Sequence, residues 1–340
     1  MGRYIFIPAI LMIVVFFEFK KPISITERIY GVSLVAPRDS VGDQSLMDAS
    51  SIGAGWVAII PFGFIGDSTG TVHFNTPRQW WGERTEGIEA VAEMARKQNL
   101  KIMLKPHVWV RGQGWPGDYQ PSSAEEWSKW ETTYRDYILF NAALADRLGI
   151  ELFCVGTEFR KTATLRPEFW RMLIADVRKV YKGKLTYAAN WDNFENIMFW
   201  DALDYIGIDA YFPVSEERIP GSESLSAGWE EPVEAMAASF DQWQKPILFT
   251  EFGYRSVDYA ADGHWKHDYD AMPENMEAQA AAYQGLFDHT WNQPWMAGGF
   301  LWKWHMSVPE RYRSRLQREY TPQGKPAERV IKEAFASGNR

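Results

Sequence analysis

From residue 28 onward the chain alternates short, nearly unbroken apolar runs with longer stretches whose apolar residues recur every three or four positions. Runs of the first kind suit strands buried on both faces, and stretches of the second kind suit helices lying on a sheet. The runs fall at 29–35, 56–61, 101–106, 151–157, 184–189, 205–208, 247–251 and 296–301. Helical patterns are expected at about 45–52, 83–98, 167–183, 196–203, 232–242, 274–292 and 326–336. A further helix opens at the capping box Ser123-Ala-Glu-Glu126 and stops at Gly149. Polar or Gly/Pro-rich loops are expected at 65–82, 111–121, 213–228 and 256–273. Strict alternation of eight strands with about eight helices predicts an α/β fold, a single-domain (β/α)8 barrel over 28–338. The rival, a doubly wound open sheet, usually has fewer strands and a Gly-rich phosphate turn near its start. No such turn follows the first run here.

In such a barrel, chemistry sits where strands end and their following loops begin. The residues at those ends are polar or aromatic: Arg38, Lys105, His107, Trp109, Glu158, Asn190, Trp191, Asp209, Tyr211, Glu251, Tyr254 and Trp302. Glu158 closes the apolar run Leu152-Phe-Cys-Val-Gly-Thr157, and Glu251 closes Ile247-Leu-Phe-Thr250. An ionised Glu inside a core costs several kcal/mol unless it is paired, so both are expected to emerge into a cleft. Two carboxyl groups facing one another across a barrel mouth are what glycoside hydrolysis requires. The bland alternative is a rim salt bridge to Arg160 or Arg255, which lie close in sequence. His107 is either a sugar ligand or a satisfied core histidine. Asp209 either orients neighbouring donors or touches sugar. Lys105 and Arg38 either bond hydroxyls or neutralise the carboxylates.

Composition sharpens this reading. Seventeen Trp among 340 residues suit either an aromatic-rich core or the stacking of sugar C–H faces on flat rings. Trp80, Trp81, Trp115 and Trp265 lie in long loops and are candidates to extend a cleft. A net charge of −8 argues against a nucleic-acid groove. Cys154 is the sole cysteine, which leaves no intramolecular disulfide and no thiolate metal site. His264-x-x-His267-Asp268 hints at metal ligation but sits in a charged loop, so no metal site and no cofactor are expected. Residues 1–22 pair Arg3 with an apolar run to Phe17 and then Glu18, Lys20 and Lys21. That pattern reads as a signal peptide or an N-terminal membrane anchor, with a buried helix as the rival, and predicts an exported protein. Oligomeric state is left open.

Four strand-end motifs together carry a resemblance: Gly-Thr-Glu158-Phe, Ala-Asn190-Trp-Asp, Gly-Ile-Asp209-Ala-Tyr211-Phe-Pro and Phe-Thr-Glu251-Phe-Gly-Tyr. They resemble glycoside hydrolase clan A and, more narrowly, the β-mannanase-type glycoside hydrolase family 113, over about residues 28–336. The resemblance implies a retaining glycosidase acting on β-linked oligo- or polysaccharide, most closely an endo-β-1,4-mannanase. It implies Glu158 as general acid/base, Glu251 as nucleophile, Tyr211 as hydrogen-bond donor to the nucleophile, and Trp302 as floor of the sugar subsite at the scissile bond. Much of the clan has Asn before the acid/base, contacting the sugar 2-hydroxyl, whereas this chain has Thr157. Asn190 and His107 are the candidates for that contact. Sugar identity stays open between mannan and other β-glycans, and a non-catalytic carbohydrate-binding barrel or a metal-dependent hydrolase remain alternatives.

Overall fold

The computed structural model describes residues 27–42, 46–66, 70–112, 114–263, 265–268, 271–306 and 313–337. Eight parallel strands close into one barrel: Ile29–Val35, Trp56–Ile59, Lys101–Leu104, Leu152–Thr157, Lys184–Asn190, Ile206–Asp209, Ile247–Phe252 and Met296–His305. The first strand pairs with both the second and the eighth, which removes every sheet edge. The fold is therefore a single-domain (β/α)8 barrel. The 1–22 segment lies outside the described residues, and no described helix is long and apolar enough to cross a membrane.

Period-two alternation along each strand divides the apolar residues between two cores. Ile29, Met103, Leu152, Leu248 and Phe300 point inward and fill the barrel. Their neighbours Tyr30, Ile102, Leu104, Phe153, Ile247, Phe249 and Leu301 point outward to the helices. Trp130, Trp170, Trp200, Trp229 and Trp304 are fully buried, so much of the tryptophan excess is core. The helix Ala124–Arg147 begins at Ser123, whose side chain accepts from the Glu126 N–H, as its capping sequence predicts.

Four segments depart from the sequence expectation; in one, the helix expected at 196–203 is two short 3-10 turns, Phe194–Asn196 and Trp200–Ala202. The second and third runs each break at a proline, Pro61 and Pro106, and restart. The restarted pieces, Phe62–Ile65 and His107–Val110, pair in parallel. Val72–His73 joins them antiparallel within what reads as a loop. The Tyr137 hydroxyl donates to the carbonyls of Pro61 and His107, each at 3.0 Å, and pins this small sheet to the barrel. The helix expected from Pro232 in fact runs from Ser222 to Trp243, with Pro232 inside it. Its polar Gly/Ser-rich start imitates a loop, but Gly228 lies so close to the Val214 carbonyl that a Cβ would fall 1.8 Å from that oxygen. Lastly, the expected 167–183 helix is preceded by a separate one, Arg160–Leu165.

Both strands that end in a site glutamate lose regular register just before it. Pairing shifts between Cys154 and Thr157 in the fourth strand, and between Phe249 and Glu251 in the seventh. Bulges of this kind re-aim a side chain at the rim of a sheet. In the fourth strand the shift turns Gly156 toward the helices, where a Cβ would lie 2.5 Å from the Trp170 ring and 2.9 Å from the Tyr134 hydroxyl. Gly156→Ala is therefore expected to lower stability by about 1–3 kcal/mol through overpacking. Gly55→Ala, where nothing lies within 4 Å of the new methyl, is the control and should change stability by less than about 0.5 kcal/mol. Chemical denaturation of the two variants measures both.

Candidate active site

The site begins with an ion pair inside the barrel. Residues 101, 103 and 105 share the inward phase of the third strand, so Lys105 enters the barrel just above Met103. It is fully buried, and its ammonium bonds Asp209 Oδ1 at 2.8 Å and Glu251 Oε1 at 2.5 Å. Asp209 ends the sixth strand, is fully buried, and also accepts from Thr250 Oγ1 at 2.7 Å. Without the register shift at 250–251, Thr250 and Glu251 would face opposite sides of the sheet. With it, both reach the Asp209–Lys105 pair. The second oxygen of Glu251, Oε2, accepts from the Tyr211 hydroxyl at 2.6 Å. His107 Nε2 stands 3.4 Å from Glu251 Oε1, long for a hydrogen bond, so Lys105 and Tyr211 carry the pairing.

Glu158 is held differently. It sits just past the fourth strand with φ +55°, a left-handed conformation that disfavours a residue with a Cβ by about 1–3 kcal/mol. Its Oε2 accepts from the Trp115 indole N–H at 2.6 Å. Among the described residues, the neighbouring arginines form ion pairs with other partners: Arg160 bonds Asp118 and Asp192, and Arg255 pairs with Glu319. The rim salt-bridge alternative therefore has no support here.

The two carboxyls are pushed in opposite directions. Burial raises the Glu158 pKa well above the usual range, and the charges of Asp209 and Glu251 raise it further. Burial would raise Glu251 as well, but the Lys105 ammonium bonded to it outweighs that and holds Glu251 below the ordinary value. Burial and the charge of Glu251 push Asp209 upward, against Lys105. His107 is lowered by burial and by Lys105, which keeps its ring neutral near pH 7. A pair of carboxyls driven apart in this way can supply a proton and a nucleophile from one site at one pH.

Glu158 and Glu251 line the same cleft, a cavity of about 990 Å³ at the C-terminal face of the barrel. Its walls include His107, Trp109, Trp115, Asn190, Trp191, Tyr211, Trp265 and Trp302. His107 and Trp302 are parallel, 5.9 Å apart between ring centres, and Trp191 stacks on Trp265 at 5.1 Å. The Trp302–Lys303 peptide is cis. Asn190 donates to Asp192 Oδ1 at 2.7 Å from the cleft wall. Thr157 is buried and its hydroxyl donates to the Pro106 carbonyl at 3.3 Å, away from the cleft.

Four candidate residues lie off the cleft. Lys105 and Asp209 are fully buried beneath it and take the alternative offered for each: Lys105 neutralises carboxylates, and Asp209 orients the Lys105 and Thr250 donors. Arg38 is exposed and off the cleft, because the first strand ends at Val35 and the chain turns outward. Tyr254 is buried edge-on against the Tyr283 ring at 5.3 Å, behind the wall. Of the loop tryptophans, Trp115 and Trp265 reach the cleft and Trp80 and Trp81 do not. Phe62, Arg160 and Tyr320 line it without having been anticipated. Phe62 belongs to the small sheet, and Tyr320 follows the last barrel strand, so no strand-end pattern marks either. No cluster of three His, Cys, Asp or Glu suited to a metal occurs among the described residues, and His264 lies outside them.

The sequence profile of Glycoside Hydrolase Family 113 matches residues 38–325. The chain belongs to glycoside hydrolase family 113. A family 113 β-mannanase from Alicyclobacillus acidocaldarius superposes with a TM-score of 0.79 at 26% identity, covering 93% of this chain and 99% of that one. A family 113 β-1,4-mannanase superposes at 0.76 with 26% identity, covering 92% of this chain and 100% of that one. A family 5 mannosidase from Rhizomucor miehei, 12% identical with a TM-score of 0.65, covers 92% and 94% and shares the fold. A search of curated proteins by sequence finds no match. This family 113 member is a glycoside hydrolase, and its catalytic apparatus is to be sought in the cleft just described.

Removing Lys105 should expose how much the floor depends on it. Lys105→Met leaves Asp209 and Glu251 buried without their cation, a loss of about 3–5 kcal/mol near pH 7. In the parent, Glu251 has a depressed pKa, so its contribution is present above the unfolded value and fades as pH falls. In the variant both carboxyls titrate upward and favour the protonated form when folded. The stability gap between the two proteins should therefore narrow from pH 7 to pH 5, as read by urea denaturation at each pH. A gap that widens with acid would contradict the arrangement.

Proposed function

We propose that this protein is a retaining endo-β-1,4-mannanase. The observation that carries the reading is that Glu158 and Glu251 line one aromatic-walled cleft, Glu251 bonded to Lys105 and Tyr211 and Glu158 to a neutral indole, with burial and charge driving their ionisation apart. Glu251 enters the reaction as a carboxylate and attacks the anomeric carbon. Glu158 gives its proton to the departing glycosidic oxygen, and a glycosyl ester on Glu251 results. Esterification removes the charge on Glu251, which together with burial and Asp209 holds Glu158 protonated. Glu158 then accepts a proton from water, whose oxygen attacks the same carbon and frees Glu251. Lys105 and Tyr211 each hold one oxygen of the nucleophile, fixing its plane before attack and stabilising it as the leaving carboxylate afterwards.

The mannan specificity rests on family membership and on the β-mannanases that this chain resembles. A cleft lined by Trp109 and by the stacked Trp191–Trp265 pair suits the apolar faces of several sugar units. Asn190, on the wall, is our candidate for the 2-hydroxyl contact that Thr157 cannot make from its buried position.

Glu251→Ala should lose essentially all turnover, and azide should restore part of it with inversion at the anomeric carbon. Glu158→Ala should fall about 10²–10⁴-fold on oligosaccharides but far less on an aryl glycoside with an acidic leaving group. Activity of the parent should decline at low pH as Glu251 protonates and at high pH as Glu158 loses its proton. Product analysis on mannan, glucomannan and cellulose oligomers tests the substrate, and cleavage of glucan without mannan would reassign it. Full activity in Glu251→Ala would end the nucleophile assignment.

A further inference from the structure

We propose that Trp115 is a positioning residue for the acid/base, anchoring one oxygen of Glu158 so that the other alone carries the reaction's proton. The inference rests on the reading of Glu158 as general acid/base. Trp115 is unusually well fixed for a loop residue. Its ring lies so close to Gly117 that a Cβ there would sit 2.2 Å from two ring atoms. The Arg160 guanidinium covers the ring at 5.0 Å from its centre. Arg160 is in turn held by Asp192 at 3.0 Å and by Asp118 at 2.5 Å. Asp118 lies in the same turn as Trp115, and Asp192 lies beyond the fifth strand. The indole is thus braced from two loops with its N–H directed at Glu158 Oε2, 2.6 Å away.

The chemistry of the donor suits the task. An indole N–H donates only and does not titrate, so it cannot compete for the proton in transit. It is uncharged, so it does not force Glu158 to ionise as a lysine would. With Oε2 held, Oε1 presents the proton to the leaving oxygen in the first step. In the second, Oε1 takes one proton from the attacking water, and the water oxygen bonds the anomeric carbon as the ester to Glu251 breaks. A hydrogen bond to the carboxylate form also favours the base needed in that second step. Glu251 receives the opposite treatment, a charged donor in Lys105 and a phenol in Tyr211.

Trp115→Phe keeps an aromatic ring for Arg160 and removes the N–H together with the pyrrole half of the indole. The alkaline limb of kcat/KM should move to higher pH, because the carboxylate form loses a donor. The kcat/KM for the preferred oligosaccharide should fall about tenfold more than for an aryl glycoside with an acidic leaving group. An unmoved limb with equal losses on both substrates would make Trp115 a sugar platform and overturn the proposal. If Trp115→Phe does not fold, Arg160→Gln, which loosens the brace, carries the same readout with a smaller shift in the same direction. Glu158→Gln measured in parallel separates the two layers. A limb that survives Glu158→Gln defeats the acid/base reading itself, whereas a limb lost there but unmoved by Trp115→Phe defeats the anchoring alone.

Discussion

A single ammonium group inside the barrel governs the electrostatics of the cleft. Lys105 reaches the top of the barrel interior and bonds both Asp209 and Glu251, with no exposed surface of its own. Three carboxyls, counting Glu158, thus meet near one cation. In so dry a setting they cannot all ionise, and geometry decides which does. Glu251 bonds the cation, which outweighs its burial and keeps it charged, while burial and then the charges of Asp209 and Glu251 push Glu158 upward. The bond to Lys105 therefore separates two chemically identical side chains.

The backbone is bent to make that sorting hold. Regular strands would carry alternate residues to opposite faces, yet Thr250 and Glu251 both serve the interior because the register slips between Phe249 and Glu251. The fourth strand slips too, and Glu158 then adopts a left-handed backbone that places its carboxyl over the cleft. Such strain persists only where surrounding packing over-determines it. Here the packing is the Trp130–Tyr134–Trp170 cluster, with Tyr134 stacked on Trp130 and its hydroxyl donating to the Val155 carbonyl. The tryptophan excess thus serves two ends, one set of rings bracing the fourth strand and another lining the cleft.

Much of the architecture was legible in the chain itself. Eight apolar runs alternating with amphipathic stretches specify eight parallel strands under helices, since only that arrangement buries both faces of every run. The two strand-end glutamates stood out for the same reason, because a carboxylate at the close of a buried strand must leave the core or find a partner. Tyr211, Asn190, Trp191 and Trp302 were readable as strand-end neighbours of those glutamates. What misled was local sequence. Ser222–Gly228 reads as a loop, and Val72–His73 is too short to signal a strand.

The sequence alone determined the barrel, its single-domain extent and the two acidic strand ends, because hydrophobic period and strand position are local properties of the chain. Tertiary structure decided the rest. Whether Lys105 meets sugar or carboxylate depends on its inward phase and on the closure of the third strand near the sixth and seventh. Whether Arg38 or Trp115 reaches the cleft depends on how loops from distant strands fold over the mouth. Which glutamate is ionised depends on a charge contributed from 146 residues away. No linear pattern encodes such a value, because electrostatic energy follows distance through space.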